Sequence, residues 1–202
     1  MNPKPSKGKQ ARSIHPLGPA RWDDLEQLLD RPGSHRGCWC LWWRLPHKKY
    51  GTTSGEQHRR RMRQIVRAGM TPGLLGYVDG EPVAWVSLGP RTDFAALEAS
   101  RLFRRVDDKP VWSVVCFVVR QDQRRKGWMR RLLRAAEAYA AQHGATLLEG
   151  YPVECGDRRL TGDGGYTGIA STFRAEGFRE VARPRADRPI MRRALRRRGV
   201  AR

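Results

Sequence analysis

Apolar positions along the chain recur at two spacings, and each switch between them marks an element. Ser13–Leu17 reads as a short first strand. In Pro19–Leu29 (PARWDDLEQLL), Trp22, Leu25, Leu28 and Leu29 fall at helical spacing with acidic residues early, so a helix with a favourable dipole is predicted. Arg31-Pro32-Gly33-Ser34 ends it. Ser54–Ala68 predicts a second helix capped by Ser54. Gly73–Leu88 reads as a hairpin: LLGYV, a tight Asp79-Gly80 turn, then PVAWVSL. Asp93–Val106 is predicted helical, and Val111–Val119 (VWSVVCFVV) is an apolar, β-branched run of the kind that fills a buried central strand. Trp128–His143 places Met129, Leu132, Leu133, Ala136, Tyr139 and Ala140 on one helical face, and Gly144 stops it. Thr146–Val153 comes next as a strand, Ile169–Ala175 as a short helix, Arg179–Arg183 after a Gly177-Phe178 turn, and Pro189–Leu195 as a last strand. The order is helices, a hairpin, then strand–helix–strand, which is a mixed α+β class with no internal repeat and no second domain.

Composition changes this picture mainly through charge. The 202 residues, 39% apolar, suffice for one domain with a sizeable core. The net charge of +20 is concentrated at the ends: residues 1–12 carry four positive charges and residues 188–202 carry seven arginines, both without acids. We therefore divide the chain into a basic arm (1–12), a single domain (13–187) and an Arg-rich C-terminal segment (188–202). The Arg cluster reads as a solvated tail, with nucleic acid as the alternative partner. Cys38, Cys40, Cys116 and Cys155 form no CxxC pair, no apolar run approaches the ~20 residues of a membrane span, and no apolar signal segment opens the chain. The expectation is a cytoplasmic protein with reduced thiols and no membrane partner. The C-x-C spacing of Cys38 and Cys40, even with His35 and His47 nearby, is poor for zinc, and no metal is expected.

One junction carries chemistry. Val118–Leu133 reads VVRQDQRRKGWMRRLL: an apolar strand gives way to Arg124, Arg125, Lys126 and Arg130 around Gly127, and a helix begins. The first turn of a helix has unpaired N–H groups and partial positive charge, so it binds phosphate oxygens. A glycine admits close approach or positive φ, and flanking cations add charge-assisted hydrogen bonds. Both the Walker pattern G-x-x-x-x-G-K-[ST] and the dinucleotide pattern G-x-G-x-x-G are absent.

Arg124-Arg125-Lys126-Gly127-Trp128-Met129 resembles the coenzyme A loop [QR]-x-x-G-x-[GA] of the GNAT superfamily of N-acetyltransferases, with Met129 in place of the final small residue. Val111–Val119, Trp128–His143 and Thr146–Val153 are similar to that family's fourth strand, following helix and fifth strand, and Phe173–Phe178 to its closing aromatic–x–x–x–Gly–Phe turn. The likeness covers residues 73–183 well and 13–72 by order of elements. It implies a GNAT-like α+β fold, with a central mixed sheet of about six or seven strands, flanked by helices and splayed between the fourth and fifth. It implies acetyl-CoA as co-substrate. Its pantetheine would pair with the backbone of Phe117, Val118 and Val119, and its pyrophosphate would rest on the amides of Arg125, Lys126, Gly127, Trp128, Met129 and Arg130. The Arg124, Arg125 and Lys126 side chains would add contacts. A fourth-strand N–H would polarise the thioester carbonyl.

The implied reaction is direct attack of a primary amine on the thioester, which needs a base for the ammonium and gains from a donor for the thiolate. Glu154 is the first choice of base and Glu149 the second. The family's usual tyrosine donor is replaced by Phe173, so Ser171, Thr172 or Tyr166 substitutes, or the thiolate leaves unassisted. Trp39, Trp42 and Trp43 in Cys38–Pro46 are candidates for an aromatic acceptor wall, with core filling as the alternative; Trp85 and Trp112 are expected in the core. A basic body argues against a strongly cationic acceptor, unless Asp23, Asp24, Glu26, Asp157 or Asp163 makes a local acidic pocket. The function expected is N-acetylation of a small-molecule amine, such as an antibiotic or metabolite. A non-catalytic acyl-CoA-binding domain and an Arg-rich nucleic-acid binder are the alternatives, and a homodimer is left open.

Overall fold

The computed structural model describes residues 11–30, 37–156 and 164–195. Most of the basic arm, His35, Asp157, Asp163 and the end of the Arg cluster lie outside them. A short strand β1 (Arg12–Pro16) leads through a 3-10 turn into helix α1 (Trp22–Leu29), then come helices α2 (His47–Gly51) and α3 (Gly55–Arg67). In α3 the Ser54 hydroxyl accepts from the Gln57 N–H while the Gln57 side chain accepts from the Ser54 N–H, a reciprocal form of the predicted cap. Strands β2 (Gly73–Val78) and β3 (Glu81–Pro90) form the hairpin, with both turn residues, Asp79 and Gly80, at positive φ (49° and 83°). That pairing suits a type I′ turn, whose twist matches the strands.

The helix predicted over Asp93–Val106 shrinks to α4 (Ala95–Glu98). The segment that follows is tied instead by the buried Arg91 guanidinium, which donates to the carbonyls of Leu97 and Phe103. Strand β4 (Trp112–Val119), helix α5 (Trp128–Gln142), the short strand β5 (Leu147–Gly150), helix α6 (Ala170–Ala175), and strands β6 (Arg179–Arg185) and β7 (Arg188–Ala194) complete the fold. The seven-stranded sheet has the order β1-β2-β3-β4-β5-β7-β6. All its neighbours are antiparallel except β4 and β5. β7 lies between β5 and β6, so the Arg-rich segment drawn from residue 188 starts inside the sheet.

Helices cover both faces. One core layer joins α1, α3 and the Trp-bearing loop to Leu75, Trp85, Val115 and Cys116. The other packs α5 and α6 onto Val86, Val114, Phe117 and Met191. Burial of this apolar area is the main source of stability, about 25 cal/mol per Å² removed from water.

Two features of β4 shape the site. Its pairing with β3 slips between Ser87/Leu88, so Val115 is the extra residue of a bulge, and Val115 and Cys116 face the same layer. Its pairing with β5 lasts only three residues, Trp112↔Leu148, Ser113↔Glu149 and Val114↔Gly150, after which the strands part.

Candidate active site

The β4–β5 divergence leaves the far half of β4 with one edge turned away from β5. Backbone alternation decides which groups face that gap. Arg120 N–H bonds to Val83 O and Phe117 N–H points the other way, so Val118 pairs with β3 while Phe117 and Val119 face the gap. Of the three residues predicted to offer backbone to a ligand, Val118 is therefore turned to the wrong side.

The gap is not empty. Beyond β5, Val153 bridges Ile169 in parallel, and this brings Tyr166–Gly168 alongside β4. Tyr166 carbonyl oxygen accepts the Phe117 N–H at 2.6 Å. Gly168 N–H bonds to Gly165 O, and the Arg188 guanidinium reaches the buried Thr167 hydroxyl at 3.4 Å. Gly168 (φ +98°) cannot carry a side chain here: a Cβ would sit 2.5 Å from the Phe173 ring. No local pattern announces this placement, because the segment's partner, Phe117, lies on a distant element.

At the end of β4 the chain makes a 3-10 turn over Gln121–Gln123 and passes Arg124, Arg125 and Lys126 before α5. Arg125 (φ 62°) and Gly127 (φ 79°) are both left-handed. Among the described residues no side chain caps α5, which leaves the first-turn amides of Trp128, Met129 and Arg130 without a side-chain acceptor there. Arg125 and Lys126 are exposed and make no ion pair among the described residues, and Arg124 reaches only the Val119 carbonyl, at 3.4 Å. Arg130 differs: its guanidinium is paired at 2.5 Å with the buried Glu176, which Arg134 also grips at 2.6 Å. Its side chain ties α5 to the end of α6, and only its amide remains at the loop. Trp128 is buried against Gly76, where an added Cβ would meet the ring at 2.6 Å.

The carboxylates expected to act as base are committed elsewhere. Glu154 pairs with Arg174 and, at 3.3 Å, with Arg183 of β6, and these partners hold its carboxyl below the ordinary range. Glu149 is fully buried. Arg91 Nη1 (2.9 Å) and the Tyr151 hydroxyl bond one of its oxygens and Arg192 Nε (2.6 Å) the other. These pairings correct the expectation of a free base at either position: each carboxylate already holds two guanidinium partners. Of the local acidic candidates, Asp24 accepts from Tyr77 at 2.7 Å and Glu26 is bonded to Arg59 at 2.7 Å and to Trp22.

Among the proposed donors, Ser171 is exposed at the start of α6 and Thr172 is half-buried beside it. Phe173 is fully buried, edge-on to Phe117 (6.2 Å) and Phe178 (4.9 Å), and fills the position with packing. Tyr166 is the one that stands at the gap. Burial pushes its hydroxyl up to about 12, helped by the neighbouring Cys116, so it stays protonated at neutral pH. The buried Trp43 indole N–H lies close enough to Tyr166 to offset part of that rise.

The three tryptophans separate. Trp39 stacks on Trp22 (5.8 Å, 13°) in the core and cannot form a wall for an acceptor. Trp43 is buried edge-on to Phe103 at 5.9 Å. Trp42 alone is exposed, stacked on His47 (4.4 Å) and edge-on to Tyr50 (5.1 Å). Trp85 is buried and Trp112 partly so, against Tyr139 and His143. Among the described residues, no helix is long and apolar enough to cross a membrane.

A mixed sheet that parts between a bulged fourth strand and a parallel fifth, with an uncapped helix and exposed cations at the parting, defines an acyltransferase-type fold. The sequence profile of the acetyltransferase (GNAT) family matches residues 22–154, and the chain belongs to that family. The structure superposes on solved structures of the same fold. One is described as a GNAT-family acetyltransferase from Desulfovibrio desulfuricans (TM-score 0.54, 14% identity, 92% of this chain and 100% of that one). Another is a ribosomal-protein-alanine N-acetyltransferase from Brucella melitensis (0.52, 17%, 91% and 99%). A third is Ard1 from Thermoplasma volcanium (0.51, 11%, 92% and 99%). A search of curated proteins found no match.

Proposed function

We propose that this protein is an acetyl-CoA-dependent N-acetyltransferase acting on a primary amine of a small molecule by direct attack on the thioester. The observation that carries the reading is the meeting, at the end of one strand, of a parted sheet, a left-handed Gly127, an uncapped α5 and the exposed Arg125 and Lys126, which pair with no acid among the described residues. These residues fit a diphosphate: the helix supplies amide donors and partial positive charge, and the side chains supply full charges.

Acetyl-CoA supplies the activated acyl group. The amides of Gly127–Arg130 and the Arg125 and Lys126 side chains hold its phosphates, with Arg124 at the edge of the same site. Phe117 N–H is the donor placed to stabilise charge on the carbonyl oxygen, once the Tyr166 carbonyl gives it up. The Tyr166 hydroxyl, protonated across the neutral range, is the donor for the departing thiolate. With Glu149 and Glu154 both ion-paired, the ammonium loses its proton to solvent, so the rate rises with pH toward the amine's own pKa. Trp43 and Trp42 remain on the acceptor side, the first beside Tyr166 and the second at the surface.

Buried Phe173 at the usual donor position favours one second reading, a domain that binds acyl-CoA without turning it over. Titration calorimetry with acetyl-CoA and a thiol-release assay across amine classes separate the two. Uptake with amine-dependent thiol release is the expected result. Uptake alone leaves the second reading, and no uptake of any acyl-CoA by folded protein overturns both.

A further inference from the structure

Cys40 and Cys116 lie 76 residues apart in sequence, yet their sulfurs are 3.5 Å apart in the core. Three observations set this pair apart from two buried thiols that happen to touch. First, Trp85 Nε1 points at Cys40 Sγ from 3.2 Å. An indole N–H can only donate, so Cys40 Sγ is the acceptor of that bond. Second, the contact with Cys116, then the Trp85 N–H and lastly the charge of the buried Arg44 bring the Cys40 thiol down despite burial, while the same contact drives Cys116 up. The two sulfurs are thus inequivalent, with Cys40 the more readily deprotonated of the pair. Third, Trp39 and Cys40 occupy consecutive left-handed conformations (φ 48° and 53°). Such backbone is unfavourable for a side-chain-bearing residue, and here it turns Cys40 inward toward β4.

We propose that Cys40 and Cys116 are an oxidisable dithiol that a peroxide-class oxidant converts into a disulfide, stapling the Cys38–Pro46 loop to β4 one residue from Phe117. The Cys40 thiolate attacks one oxygen of hydrogen peroxide, the O–O bond breaks, and hydroxide leaves to become water with a proton from solvent. Cys40 is then a sulfenic acid. The Cys116 sulfur attacks the Cys40 sulfur, the S–O bond breaks, and the departing hydroxide takes the Cys116 proton and leaves as water. Two thiols are oxidised by two electrons and one peroxide is reduced to two waters. Closing the sulfurs to bonding distance takes about 1.5 Å, within reach of side-chain rotation and a small loop shift. Each residue keeps 6% exposure, so a molecule as small as hydrogen peroxide needs little opening to arrive. Cys38, two residues from Cys40, is the competing partner, but a C-x-C bridge closes a strained ring.

The test treats the folded full chain with hydrogen peroxide, alkylates remaining thiols under denaturing conditions, digests without reductant and maps the peptides by mass. The expected result is a cross-linked peptide pair containing Cys40 and Cys116, two hydrogens lighter, released by dithiothreitol and formed equally in Cys38→Ser. In Cys116→Ser, Cys40 should stop at the sulfenic acid and take up dimedone; if that variant fails to fold, the mapping of the unaltered chain decides alone. Alkylation of both Cys40 and Cys116, a Cys38–Cys40 bridge, or sulfinic acid without the cross-link overturns the proposal.

Discussion

Replacing Glu149 with Gln tests whether this carboxylate holds the fold or serves the chemistry. Its side chain is 1% exposed, and it bonds Arg91 and the Tyr151 hydroxyl through one oxygen and Arg192 through the other. Gln keeps the shape but removes the charge, and its NH2 group must face one of the guanidinium donors. Two largely buried arginines are then left short of countercharge. Breaking a buried pair by removing one partner destabilises by about 3–5 kcal/mol. The low end applies, because Arg91 retains Glu98 (2.6 Å) and Arg192 retains Asp107 (2.8 Å). About 3 kcal/mol in a domain of this size lowers Tm by roughly 6–12 °C. Differential scanning calorimetry measures this directly, with Glu154→Gln as control: that residue's ion pairs are more exposed, and its loss should fall under about 1 kcal/mol. A Glu149→Gln protein that melts within roughly 3 °C of the parent, half the smallest expected shift, would refute the structural role. A normal Tm with abolished turnover would be worse still, since it would return Glu149 to the role of base.

Arg125→Ala and Lys126→Ala should each raise the Kd for acetyl-CoA about fivefold, the loss of about 1 kcal/mol from an exposed charge-assisted contact, and should flatten its salt dependence, as calorimetry will show. Arg130→Ala should act instead on Tm, because its guanidinium serves Glu176. Tyr166→Phe should lower kcat about 100-fold or more with little change in the coenzyme's Kd, and an unchanged kcat would mean that the thiolate leaves unaided. Burial pushes Glu137 up to about 7, with Arg193 at 3.0 Å offsetting only part. A carboxyl whose folded value exceeds its unfolded 4.5 holds its proton more tightly when folded, so its contribution is present at low pH and is lost as pH rises through about 7. Glu137→Gln should therefore add about 1–2 kcal/mol of stability at pH 8, after allowance for solvent screening, and change little at pH 5, as thermal melts at the two pH values will show.

How much the sequence discloses depends on how locally each feature is encoded. The β2–β3 hairpin, the Ser54 cap, β4 and α5 are each specified by residues within one element or turn, and all appear where expected. The phosphate-type loop is legible for the same reason: charge, glycine and helix start are neighbours in the chain. Features that escape a sequence reading depend on distant partners. The Arg91 guanidinium reaches the carbonyls of Leu97 and Phe103, 6 and 12 residues on. Glu154 looks available from its own neighbours, but β6 brings Arg183 to it from 29 residues on. Three tryptophans within five residues have no period to sort inward from outward, and the left-handed turn at Trp39 and Cys40 that does the sorting has no glycine to announce it.

The bond from Phe117 to the Tyr166 carbonyl has a kinetic consequence. Any extended molecule that lines up along this part of β4 enters by exchange, giving the strand an acceptor only as an existing one departs. The net gain from that contact is small, and uptake is gated by how often residues 165–168 let go, so association should reach a plateau with rising ligand concentration.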